Sequence, residues 1–69
     1  MTKQEAISII LNDTPHYGTS LNYAVNYCKE ARFMSGHELD IQCLYIVENI
    51  KGWRHPQAKE VRETLRRKE

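Results

Sequence analysis

The densest apolar run of the chain is Glu38 to Ile50. Within it Leu39, Cys43, Ile46, Val47 and Ile50 recur at i, i+4, i+7, i+8 and i+11, the spacing of one helical face. Asp40, Gln42, Glu48 and Asn49 fall largely elsewhere. Leu44 and Tyr45 widen the apolar stripe past half the circumference, and a helix that wide needs partners on two sides. The pattern predicts a central helix on which the rest of the chain packs.

The flanking stretches supply those partners. Thr2-Lys3-Gln4-Glu5 has the form of a capping box, and Ala6, Ile7, Ile10 and Leu11, widened by Ile9, make one face of a short first helix. Asn12-Asp13-Thr14-Pro15 ends it, because the residue before a proline is pushed out of helical geometry. After His16, Tyr17 and Gly18, Thr19 or Ser20 is expected to cap a second helix running to about Met34; a start at Pro15 would put Gly18 in its first turn. Leu21, Ala24, Val25, Cys28 and Ala31 form its core stripe. Tyr23, Tyr27 and Met34, with Phe33 beside them, form a second stripe, flanked by Asn22 and Asn26.

Ser35-Gly36-His37-Glu38 repeats the capping-box form and opens the central helix. Lys51 and Gly52 suit its C-terminus. Trp53 is expected to close the corner to a fourth helix with Pro56 at its first position and a narrow stripe of Ala58, Val61 and Leu65. The expectation is an all-α fold, a single domain over residues 1–69 with about four short helices. Its core is Leu21, Val25, Cys28, Leu39, Cys43, Ile46, Val47, Ile50, Val61 and Leu65.

Size sharpens this reading. A chain of 69 residues buries only about 60% of the surface its unfolded form exposes, so covering further apolar surface by self-association would help it. Neither a secretory leader nor a membrane span is expected from the pattern. Cys28 and Cys43 fall on core stripes and read as buried reduced thiols of a cytoplasmic protein.

Charge is uneven although the net is +1. Residues 51–69 carry seven cations against three carboxylates, net +4, leaving −3 on the first fifty. Arg54, Lys59, Arg62, Arg66 and Arg67 are therefore candidate phosphate-binding residues, for nucleic acid or a phosphorylated nucleotide. The competing explanation is a solvated face whose cations suit the helix C-terminus. As a helix-turn-helix the Met34–Gly36 corner is poor, since no base-reading cation follows it. The corner from Gly52 to His55 is better, with Gln57, Lys59 and Arg62 beyond it.

No metal-ligand spacing, nucleophile motif or phosphate-cradling glycine loop is present, so neither catalytic residues nor a cofactor or metal is expected. The leading expectation is a small non-enzymatic binding module, a homo-oligomer with a dimer favoured or a partner of another protein. Tyr23, Tyr27 and Met34 would lie at its interface.

Overall fold

The computed structural model of the protein describes residues 1–67. Its elements are α1 (Lys3–Asn12), a 3-10 turn (Thr14–His16), α2 (Ala24–Ala31), α3 (Gly36–Glu48) and α4 (Ala58–Arg66), with no strand among the described residues. Lys68 and Glu69 of the C-terminal charge run lie outside the described residues. The all-α expectation holds.

The first helix begins as its sequence directs. The Thr2 hydroxyl accepts from the Glu5 N–H at 3.1 Å, and the Thr2 N–H donates to the Glu5 carboxylate at 2.7 Å. The second Ser-x-x-Glu does not close a box: Ser35 makes no side-chain cap bond. Gly36 replaces the cap with backbone geometry, at φ +60° in the left-handed region. A side chain there costs about 1–2 kcal/mol, which is why the corner carries glycine.

Two helix starts come later than expected. Neither Thr19 nor Ser20 caps α2, and Pro15 does not open it. The Thr19 hydroxyl donates back to the His16 carbonyl, residues 17–23 run as turns, and regular helix begins only at Ala24. Local side-chain bonds of this kind compete with a helix start. At its other end α2 closes at Ala31, where tightened turns take over: Phe33 N–H donates to the Glu30 carbonyl and Met34 N–H to that of Ala31. Pro56 likewise precedes α4 by two residues. The Gln57 N–H donates to His55 Nδ1 at 3.0 Å, so the histidine ring holds the entry to the helix.

All ten residues expected in the core are buried, and Ala6, Ile7, Ile10, Ala24, Ala31, Trp53 and Ala58 join them. α3 packs on α2 and α4, and α1 packs on the same two helices, so the four close into a ring. The hub is thus shared between α1 and α3. Polar groups stitch it. Gln42, expected away from the core stripe, is buried between α2 and α3, donating to the Tyr27 carbonyl at 3.0 Å and to Glu30 at 3.3 Å. Gln4 donates to the Ala31 carbonyl at 3.2 Å, satisfying an acceptor at the end of α2.

Lys3 is the surprise of the N-terminus. Its side chain is 2% exposed, with the ammonium 3.5 Å from the Asp40 carboxylate. It also donates to the Arg67 carbonyl, while the Arg67 guanidinium donates to the Met1 carbonyl at 2.6 Å. A buried ammonium is tolerable only with such partners.

Both cysteines are buried thiols. Burial, with a smaller contribution from neighbouring Cys43, pushes the Cys28 thiol up to about 12.

Ile46 is 0% exposed, and Ile46→Ala should lower the unfolding free energy by about 2–5 kcal/mol in urea titration; an unchanged midpoint would contradict its place in the core. For Cys28, the unfolded thiol ionises first as pH rises, so its contribution is complete below the ordinary value of 9.0 and is lost between there and about 12. Stability should fall progressively across that window. Cys28→Ser, which carries no titrating thiol, should flatten the alkaline slope.

Candidate docking face and basic groove

Three large apolar side chains on α3 are in solvent. Ile41 is 42% exposed, Leu44 53% and Tyr45 52%. The expectation that Leu44 and Tyr45 would be covered by neighbouring helices is therefore corrected. In the four-helix ring α2 and α4 cover the two flanks of α3, and its third face is left open. Spaced i, i+3, i+4, these residues form one ridge.

The ridge continues onto α2. The Tyr45 and Tyr27 rings stack at 5.9 Å between centroids and 25° between planes. Of the residues the sequence nominates, Tyr23 is 71% exposed, whereas Tyr27 and Met34 are half-buried with their apolar parts on the core. Phe33 is 88% exposed just past the end of α2. On the other flank of the ridge lies a mainly apolar groove of about 190 Å³, lined by Ile41, Leu44 and Leu65 with His37, Asp40, Arg66 and Arg67 around them.

The five basic candidates do not gather in one place. Arg54, Lys59 and Arg62 line one open groove of about 380 Å³, together with Lys51, His55 and Trp53. Arg66 and Arg67 border the apolar groove instead, and Arg67 is engaged with Met1. The sequence did not nominate Lys51, which reads as a cation suited to the C-terminus of the central helix, or His55, which reads as part of the corner before Pro56. Lys51 pairs with Glu48 at 3.0 Å, both exposed.

Beneath that groove Trp53, 2% exposed, stacks on His55 at 5.0 Å and donates its indole N–H to the Asp13 carboxylate at 2.7 Å. The same Asp13 oxygen lies 2.9 Å from His16 Nδ1. These two bonds, Trp53 first, hold the Asp13 carboxyl below its ordinary value.

Among the described residues no three His, Cys, Asp or Glu side chains gather as metal ligands, and no helix is long and apolar enough to cross a membrane. No protein-family model, curated protein or solved structure matches this chain, so function is read from its own geometry.

The Asp13 carboxylate makes stability depend on pH. Its folded carboxyl is lowered, so its contribution to stability is present above the ordinary value of 3.8 and is lost as pH falls through the lowered folded value. Asp13→Asn keeps an acceptor for the indole but not the charge. Its thermal midpoint should lie below the parent's at neutral pH and converge on it in acid. Asp13→Ala leaves the buried indole N–H without an acceptor and should be less stable than either at every pH. Equal midpoints for all three at neutral pH would show that the Trp53 bond contributes nothing.

Proposed function

We propose that the protein is a small non-enzymatic docking module that pairs with a second copy of itself through the outer face of α3 and the adjoining aromatic side of α2. The observation that carries the reading is the ridge of Ile41, Leu44 and Tyr45, continuous through the Tyr45–Tyr27 stack. Exposed apolar groups that adjoin one another mark contact surfaces, and Tyr, Phe and Met are enriched at their centres.

A second copy is favoured as the occupant because the same face carries both a projecting part and a receiving one. Ile41 and Leu44 form the ridge and also the wall of the apolar groove that Leu65 floors. Under two-fold symmetry the ridge of each copy meets the groove of the other, so one patch covers itself. Such pairing would also enlarge the buried apolar area of a domain with little of its own. Tyr23 belongs to the contact in this reading, whereas Tyr27 and Met34 support it from beneath.

The buried Cys28 thiol is held protonated and so makes a poor nucleophile, which leaves it a packing role in this reading. Reduced thiols at Cys28 and Cys43 also favour a cytoplasmic setting.

Sedimentation tests the pairing. The parent should show a concentration-dependent monomer–dimer equilibrium up to high micromolar protein, and Leu44→Glu should sediment as a monomer. Because Leu44 is half in solvent, the variant's stability at dilute concentration should lie within about 1 kcal/mol of the parent's, the new carboxylate standing four residues from both Asp40 and Glu48. A parent that remains monomeric throughout overturns self-pairing, and a Leu44→Glu protein that dimerises as well as the parent moves the contact off this face.

A further inference from the structure

We propose that the groove between the α3–α4 loop and the first turns of α4 binds the phosphate backbone of a nucleic acid, without reading its sequence. Lys51 and Arg54 come from the loop and Lys59 and Arg62 from the helix, so two separate elements bring four cations to one concavity of about 380 Å³. No carboxylate is among the described residues that line it. Lys51 has Glu48 as a partner outside the groove, and among the described residues no carboxylate pairs with Arg54, Lys59 or Arg62.

This concentration of one sign is not a general property of the chain, whose net charge is +1. Residues 1–50 are net negative, so the excess of positive charge lies in the last nineteen residues, which supply all four cations of the groove. The groove also takes in Ala58 and Lys59, the start of α4, where the helix dipole is positive and adds to the side-chain charges.

What the groove lacks decides the ligand class. Its only indole, that of Trp53, is 2% exposed, and its N–H is already given to Asp13, so it offers no free face on which a base could stack. With no carboxylate lining it, the groove has no strong acceptor for the hydroxyls of a ribose or the amino group of a base. The other ring, His55, has one face on the indole and its Nδ1 taken by the Gln57 N–H, so recognition falls chiefly on phosphate. Four cations spread over a loop and a helix match a run of phosphates better than one nucleotide, because duplex DNA presents one charge per about 1.7 Å. An anionic membrane is the weaker fit, since a bilayer-binding surface sets exposed apolar groups beside its cations, and the large apolar side chain of this groove is buried.

Fluorescence anisotropy with a labelled mixed-sequence duplex DNA tests the proposal. Binding should appear at low ionic strength and weaken roughly 100-fold between about 50 and about 200 mM salt, the dependence expected for three to four neutralised phosphates. The double variant Arg54→Gln, Arg62→Gln should bind about tenfold more weakly or worse, and with a shallower salt slope. Arg66→Gln, outside the groove although one turn beyond Arg62, should lose clearly less than the groove variant. All three residues reach solvent, and circular dichroism would verify that the variants remain folded. Four results overturn the proposal: no binding at low salt; equal loss in Arg66→Gln; competition by ATP that matches DNA phosphate for phosphate; or a preference for anionic phosphatidylserine vesicles over the duplex. Since Leu44→Glu leaves this groove intact, failure here and failure of self-pairing are read separately.

Discussion

Trp53 is the largest fully buried side chain, and it is also the one whose position is most constrained chemically. An indole N–H taken out of water must find an acceptor, and it finds the Asp13 carboxylate forty residues away in sequence. That bond fastens the end of α1 to the corner between α3 and α4. It thereby completes a ring of helices that the connecting loops alone would leave open at one side. The same anchoring sets His55 against the indole and brings its Nδ1 to the Gln57 N–H, so the start of α4 is placed by the core beneath it. Lys59 and Arg62 are carried into the basic groove by a helix whose entry is fixed in this way.

How much of this could be read from sequence depended on whether the responsible interaction was local. Periodicity located the core faces correctly because the i, i+3, i+4 rule acts within each helix; the whole expected core, from Leu21 to Leu65, is buried. It misjudged Leu44 and Tyr45 because an apolar residue's periodicity states which way it faces, not whether another helix arrives there. Ser35 and Thr19 failed as caps for a related reason. A hydroxyl near a helix start has several backbone groups in reach, and the glycine at 36 or the turn around His16 captured the geometry first.

The interactions least visible in the sequence are those between distant polar residues. Lys3 looks like an exposed N-terminal cation, and its burial makes sense only once Asp40 and the Arg67 carbonyl stand beside it. Gln42 reads as a polar interruption of an apolar helix, yet it is the residue that ties α3 to the backbone of α2. At the candidate sites the same limit applies. The basic residues were legible as a run along the chain, but their division between two grooves followed from distance along α4: Lys59, Arg62 and Arg66 share one helical face, and Arg66 lies about 10 Å beyond Lys59 along the axis, in the groove that Ile41 and Leu44 line. The aromatic stripe of α2 was legible too, whereas its continuation through Tyr45 required the α2–α3 packing.

The contacts that join Lys3 to the Arg67 carbonyl and Arg67 to the Met1 carbonyl bring the beginning of α1 and the end of α4 side by side. A closed ring of four helices whose extremities already touch has no mechanically privileged first element. Its helix order could be rotated, with a short peptide bridging the two extremities and a new opening in the exposed stretch around Gly18, while every helix kept its neighbours. The topology is cyclic in space although the polymer is linear, and the ring depends on adjacency between helices more than on the order in which the chain visits them.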